Sequence, residues 1–378
     1  MHVLIVALHR PLKPTGVCRY AANLAQSLAE TKQIDKVTLV VGAWQTHYFL
    51  QAFSLESPKI WLESVDIKNS SLSRNLWFMF GLPQFAKKIN PDLVHLSFPL
   101  PFWRSRFFCP VVATIHDLYP YECPENFGYQ QVLFNRFFLE QCIRESDGLT
   151  CVSKTTLESL KHYFPKVFSK KPISIAYNSV DFSTVIPKPP VQFKDALTSA
   201  FLLTVGQHRK NKNLDILIRA FALLLQTGQL DAGIRLIIVG SPGPETDNLS
   251  LLITQLALIE HVLMLSSIDD NELCWLYQHC QVFIIPSATE GFCLPLAEAL
   301  YLSCRVVCSA IPIFREVGSN SCVYFELQGD AVSNLATAVK QVLNQRHPDS
   351  TSGDQRFSKT VAAQQHLELY CRLSITAN

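Results

Sequence analysis

A chain of 378 residues with 48% apolar and 17% charged side chains can bury two cores of ordinary domain size, which excludes intrinsic disorder. Its 33 basic and 31 acidic residues nearly cancel, so no nucleic acid is expected as a partner. The first half is net positive and the second net negative, which suits an anionic acceptor or a membrane surface, or is ordinary scatter of surface charge. The chain opens on a short apolar run without preceding basic residues, a pattern that reads as a buried first strand and not as a secretory signal. No run approaches the roughly 20 apolar residues needed to cross a bilayer, and a cytoplasmic protein is expected, with peripheral contact at the inner face of the membrane left open.

In chain order, β-branched runs predict strands over 2–8, 36–41, 92–96, 111–115, 148–152 and 173–176, with helical patterns over 17–29, 129–146 and 155–163. Three prolines (Pro187, Pro189 and Pro190) then break the rhythm and mark a linker over 184–199. Beyond it the alternation restarts. Strands are predicted over 201–205, 235–239, 262–265, 282–285, 305–308 and 322–325, with helices over 214–225, 271–279 and from Leu294. A polar loop over 344–356 precedes a last helix over 357–373. Continuous apolar strands alternating with helices imply parallel sheets covered on both faces. The expectation is an α/β chain with a first domain over 1–183, a second over 200–345, and a loop and helix over 346–378.

The 12 cysteines include no Cys-x-x-Cys pair, and most, such as Cys142, Cys151 and Cys280, sit in apolar runs. They read as buried thiols in a reducing compartment, with no metal site among them.

Ligands of open parallel sheets bind beyond the carboxyl ends of the strands. Four strand-end loops stand out. The run 287–300, SATEGFCLPLAEAL, offers Glu290, the amides of Gly291, Phe292, Cys293 and Leu294 at a helix start, and Glu298 one or two turns on. A capping Glu290 with Glu298 on a solvated face explains the same residues. The run 205–221 places Arg209 and Lys212 before a helix, a cationic cradle or a solvated basic loop. Gly16 opens the helix after the first strand, and His116 with Asp117 leaves the end of another.

In this order and spacing the four loops resemble glycosyltransferase family 4, the glycosyl transferases group 1 enzymes of the GT-B fold. PSATEGFCLPLAEAL is similar to the family's Glu-x7-Glu motif, and TIHDLYP, SDGLTCVSKTT, YNSVD and IPIFREVGSNSCVYFE agree in kind and order. The resemblance implies two Rossmann-like domains facing across a cleft, with the last helix returning to the first. It implies a retaining, metal-independent hexosyltransferase taking a mannose-like or glucose-like sugar from a nucleotide diphosphate donor, with no cofactor beyond that substrate. The acceptor is a glycan or lipid-linked molecule of polysaccharide biosynthesis. Glu290 carries over as the ligand of the donor sugar, helped by the amides of Gly291, Phe292, Cys293 and Leu294. Glu298 carries over to the ribose, Lys212 and Arg209 to the diphosphate, and Gly16 to the diphosphate and acceptor region. His116 sits beside the transferred sugar, and Ser267 and Ile268 hold the base. His116, Glu290 and Lys212 form the catalytic set.

Departures from the family pattern are Cys18, Ser179, Cys293 and Ser303 at usual glycines, Arg305 at a usual proline and Gln207 at a usual arginine. They leave a second reading, a degenerate nucleotide-sugar-binding or partner subunit of the same fold. A glycoside hydrolase would need no phosphate cradle, and a nucleotide-sugar epimerase does not explain the Glu-x7-Glu loop. The aromatic and basic run Phe102, Trp103, Arg104, Arg106 and Phe107 reads either as core packing with a loop or as a surface dipping into a lipid interface.

Overall fold

The computed structural model describes residues 1–53, 55–124, 129–192, 200–345 and 355–376. They form two compact units, Met1–Val180 with Gln355–Asn378, and Asp181–Asp354.

The first unit is built on a seven-stranded, all-parallel sheet. Its strands are β1 (His2–Val6), β2 (Lys36–Gly42), β3 (Ile60–Val65), β4 (Leu93–Leu96), β5 (Val111–Ile115), β6 (Gly148–Cys151) and β7 (Ile173–Ile175). Their order is β3-β2-β1-β4-β5-β6-β7. Both faces are buried, which is why the central strands read as unbroken apolar runs. Along β1, Val3 and Ile5 join the core under helix Gly16–Ala29, while Leu4 and Val6 join the opposite one with Phe78 and Leu82. The last helix, Lys359–Thr376, belongs to this unit and lays Leu367, Tyr370 and Leu373 into the first of those cores. A buried polar network ties it to the sheet. The Tyr20 hydroxyl lies 3.0 Å from His366 Nε2 and 2.6 Å from Thr114 Oγ1, and the Tyr370 hydroxyl lies 2.7 Å from His95 Nδ1.

The second unit has six parallel strands: β8 (Phe201–Val205), β9 (Arg235–Val239), β10 (Val262–Leu265), β11 (Val282–Ile285), β12 (Val306–Ser309) and β13 (Cys322–Phe325). Their order is β10-β9-β8-β11-β12-β13. Helices Leu214–Gln226 and Ala331–Leu343 share one core with Leu202, Leu236, Ile238, Val282 and Ile284.

The structure adds elements that sequence patterning does not predict: edge strand β3 and helices Ser71–Leu76, Leu82–Ile89, Thr246–Gln255, Pro312–Gly318 and Ala331–Leu343. Part of the expected linker is fixed in place. The Lys188 amide donates to the Asn271 carbonyl at 3.1 Å, and its ammonium pairs with Asp269 at 2.6 Å, so these residues lie on helix Asp270–His279. The remainder of that linker, 193–199, and most of the polar loop, 346–354, lie outside the described residues.

Candidate active site

Each sheet reverses its strand order once, between β1 and β4 in the first unit and between β8 and β11 in the second. At such a point the loops leaving two adjacent strands diverge to opposite faces and open a crevice beyond their carboxyl ends. In the second unit those loops are the two richest in candidate residues.

After β8 the chain passes Gly206 to a 3-10 turn, Lys210–Lys212, and then into helix Leu214–Gln226. After β11 it runs through Ser287–Cys293 into helix Leu294–Tyr301, with Pro295 in the first turn. The loops are stitched together. The Ala288 amide donates to the Asn211 carbonyl at 2.8 Å, Asn213 Nδ2 to the Pro286 carbonyl at 2.9 Å, and Asn211 Nδ2 to the Thr289 carbonyl at 3.3 Å. At their meeting point the Lys212 ammonium forms an ion pair with Glu290 Oε1. Their side chains are only 21% and 9% exposed. Ser287 Oγ donates to the same carboxylate oxygen at 2.8 Å, and Ser287 is itself held by Ser309 Oγ on its carbonyl. Burial opposes the charge on Lys212, but Glu290 outweighs it and holds the ammonium above its ordinary pKa. The lysine is therefore fully cationic at neutral pH.

Glu298 lies on helix Leu294–Tyr301 and is 5% exposed, so it is not a solvated face residue. The Tyr277 hydroxyl donates to its Oε2 at 2.9 Å. Burial, with Glu298 adding to it, pushes the Tyr277 phenol well up, so it stays a donor. Between the two glutamates sits Cys293, close enough to feel both carboxylates and Lys212. Burial, reinforced by Glu290, raises its thiol pKa, which keeps it neutral. Its backbone is left-handed (φ 70°) and it makes no side-chain cap for the helix that follows.

Arg209 turns its Nε onto Gln207 Oε1 at 2.8 Å and lines a small pocket of about 140 Å³ with Glu245 and Asp215. Gln207, which stands at a usual arginine, is thus the acceptor that orients Arg209. Ser267 (φ 65°) and Ile268 follow β10, exposed and half-buried respectively. Sequence reasoning missed Ser287, Asn211, Asn213 and Tyr277, small polar or aromatic residues with no motif of their own. It also missed the loop after β9. A Cβ at Gly240 would stand 2.0 Å from the Gly206 carbonyl oxygen, and one at Gly243 2.4 Å from that of His208. Only glycine allows this loop to close on the lysine loop. His208 bridges them, with Nδ1 3.0 Å from Thr246 Oγ1.

The remaining candidates belong to the first unit. His116 follows β5, and its Nε2 donates to the Ser97 carbonyl at 2.7 Å. Burial lowers its pKa to about 4 against the effect of that bond, so the ring is neutral at pH 7 with its proton on Nε2. Gly16 is the first residue of its helix, capped by Thr15 Oγ1 on the Cys18 amide at 3.5 Å. A Cβ at Gly16 would meet nothing within 4 Å, so the chain's own packing does not demand glycine there. Cys18 is buried, with its thiol 3.5 Å from the Tyr48 hydroxyl, and its bulk falls on the core side of the helix. The aromatic and basic run divides. Phe102 and Phe107 are buried and Arg104 pairs with Asp147 at 2.6 Å, so for these three the membrane expectation gives way to packing. Trp103 stays exposed and meets Phe80 edge-on, and the Arg106 guanidinium lies 4.8 Å from the Trp103 ring and 4.6 Å from the Phe80 ring.

Residues 188–359 match the family described as glycosyl transferases group 1, and residues 14–184 match Glycosyltransferase Family 4. An N-acetylgalactosamine-N,N'-diacetylbacillosaminyl-diphospho-undecaprenol 4-alpha-N-acetylgalactosaminyltransferase of Campylobacter jejuni is 35% identical over 279 residues, covering 73% of this chain and 70% of that one. The chain belongs to the group 1 glycosyltransferases. The O-antigen chain mannosyltransferase RfbU of Salmonella typhimurium is 28% identical over 376 residues, 95% of each chain. Among solved structures, the lipopolysaccharide glycosyltransferase WaaG superposes with a TM-score of 0.66 at 17% identity, covering 100% of this chain and 98% of that one. Anabaena Alr3699/HepE, in complex with UDP and glucose, gives 0.63 at 18% identity, covering 100% and 97%. This group 1 glycosyltransferase therefore has the expected GT-B fold of two Rossmann-like units, and its Lys212 and Glu290 loops lie within the residues matched by the group 1 family.

Proposed function

We propose that the protein is a retaining hexosyltransferase that moves a mannose-like or glucose-like sugar from a nucleotide diphosphate donor to a glycan or lipid-linked acceptor in envelope polysaccharide synthesis. The Lys212–Glu290 pair at the switch point of the second sheet carries this reading. The carboxylate keeps the lysine cationic and extended until a diphosphate competes for it. Glu290, released in part, is then placed for charge-assisted bonds to sugar hydroxyls. Positive charge on Lys212 and the start of helix Leu294–Tyr301 offset the charge developing on the leaving diphosphate without calling on a metal. Glu298, oriented by Tyr277, takes the ribose hydroxyls, Arg209 assists at the diphosphate, and Ser267 and Ile268 hold the base through backbone groups. Neutral His116 hydrogen-bonds the transferred sugar, and Gly16 leaves space for ligand beside its helix.

Relatives whose names specify O-antigen mannosyl transfer support the sugar class, and the diphospho-undecaprenol in the name of the Campylobacter relative supports a lipid-linked acceptor. We extend this to peripheral attachment at the cytoplasmic face of a membrane. Among the described residues no helix is long and apolar enough to cross one. Leu72, Leu76 and Phe80 recur every fourth residue as an exposed stripe, with Trp103 and Arg106 beside Phe80. Amphipathic aromatics and arginine next to an apolar stripe suit the headgroup boundary.

Release of nucleoside diphosphate from a panel of nucleotide sugars tests the reading. Turnover that falls by about 10² or more in Glu290→Gln and Lys212→Met supports it. Binding without turnover for every donor and acceptor would select the non-catalytic alternative, and NMR of the product anomer decides retention.

A further inference from the structure

The first unit has its own switch point, between β1 and β4; the loop leaving β1 carries His9, and the loop leaving β4 begins with Ser97. Four buried polar atoms gather there with no hydrogen-bond partner among the described residues: His9 Nδ1, Asn69 Oδ1, Arg74 Nε and Ser97 Oγ. They are linked in space. The His9 ring stands edge-on to Phe98, the neighbour of Ser97, at 5.1 Å. Asn69 Nδ2 donates to the Arg10 carbonyl at 3.0 Å, and His116 Nε2 holds the Ser97 carbonyl at 2.7 Å. Ser97 is fully buried. The fixed charges here are two guanidinium groups, Arg74 acting on His9 and Arg10 acting on Arg74, while the His116 ring that also faces His9 is neutral at pH 7.

Buried polar atoms in native proteins are almost always paired, and each orphan needs an explanation. One isolated orphan is unremarkable, but four in one cationic place at a topological switch point call for a ligand. An anion with several acceptor oxygens fits the guanidinium, the serine hydroxyl and a protonated ring nitrogen, while a hydroxyl or hydrated oxygen beside it serves Asn69. The helix that supplies Arg74 also carries exposed Leu72 and Leu76 and leads to Phe80, so an amphiphile is favoured over a free ion.

We propose that His9, Asn69, Arg74 and Ser97 form a second anion site that binds the phosphate group of a lipid-borne diphosphate. That this ligand is the acceptor rests on the transferase reading above; the anion site itself does not.

The test uses the full chain carrying Lys212→Met, which weakens phosphate binding in the second unit, titrated calorimetrically with inorganic pyrophosphate. Saturable binding is expected, weakened roughly tenfold or more by Arg74→Gln and several-fold by Ser97→Ala. Undiminished binding in Arg74→Gln overturns the site. If that variant does not fold, unchanged affinity in Ser97→Ala overturns it equally. A short-chain prenyl diphosphate forms the second arm. It should bind more tightly than pyrophosphate, with the excess lost in Phe80→Ser; equal affinities overturn the lipid assignment. Arg74-dependent pyrophosphate binding in a protein that transfers no sugar would leave the anion site standing and sink only the transferase reading.

Discussion

Lys212 and Glu290 stand 78 positions apart in the sequence and close a part-buried ion pair between the loops that follow β8 and β11. Breaking a buried pair from one side leaves the other charge uncompensated. Lys212→Met should therefore cost more stability than the double variant Lys212→Met/Glu290→Gln, by about 1–3 kcal/mol. Thermal or denaturant unfolding of the second unit measures it, and additive losses would show that the pair is not coupled.

Tyr277→Phe removes one donor from the buried Glu298 carboxylate while preserving shape. The expected cost is about 1–3 kcal/mol, with a rise in donor KM larger than any change in kcat if Glu298 binds ribose. Unchanged stability would mean that the hydroxyl is dispensable to Glu298.

Ser303 closes helix Leu294–Tyr301 in a left-handed conformation (φ 59°). Its amide donates to the Leu300 carbonyl and that of Cys304 to the Ala299 carbonyl, the bonding of a Schellman cap. Glycine adopts this backbone without strain, so Ser303→Gly should stabilise the protein by roughly 1 kcal/mol. A lower melting temperature would contradict this account of the departure.

The sheets were legible in the sequence because strands covered on both faces are continuous apolar runs. Edge strand β3, IWLESV, was not, since none of its residues is fully buried and Trp61, Glu63 and Ser64 are left in solvent. Helices Thr246–Gln255 and Ala331–Leu343 were not legible either, since each buries one face by spaced apolar residues such as Leu249, Leu252 and Ile253 or Leu335, Val339 and Val342 and carries no motif of its own. In the site, the loops bearing Lys212 and Glu290 could be read, but their contact could not: it depends on β8 and β11 being neighbours, a fact of topology. The burial of Phe102 and Phe107 beside exposed Trp103 was equally hidden, since all three are aromatic and only the fold sorts them.

Burial lowers the pKa of His9, His116 and His366 to about 4, all within the first unit. Above about pH 6.5 these rings are neutral in both folded and unfolded chains, and their full contribution is present. As pH falls from about 6.5 towards 4 the unfolded chain binds protons that the fold rejects, so stability is lost. The expected slope is steep, on the order of 1 kcal/mol per pH unit for each histidine. Denaturant unfolding at pH 7 and 5, followed by tryptophan fluorescence, reads it, because Trp44, Trp61, Trp77 and Trp103 lie in this unit and Trp275 in the other. His366→Gln should flatten the slope. A pH-independent stability would contradict the neutral-histidine account.

The proposed membrane contact requires cosedimentation with anionic vesicles that falls several-fold in Trp103→Ser and Leu76→Ser, and falls again with added salt. Full retention of both variants on vesicles would remove that surface from the account.

Thermal stability across a panel of nucleoside diphosphates tests the central claim most directly, because a ligand that binds only the folded state must raise the melting temperature. At least one diphosphate should raise it saturably in the wild-type chain, with the shift lost in Lys212→Met. No shift with any nucleotide, or one undiminished in Lys212→Met, would contradict the assignment of the Lys212–Glu290 loops as the donor site.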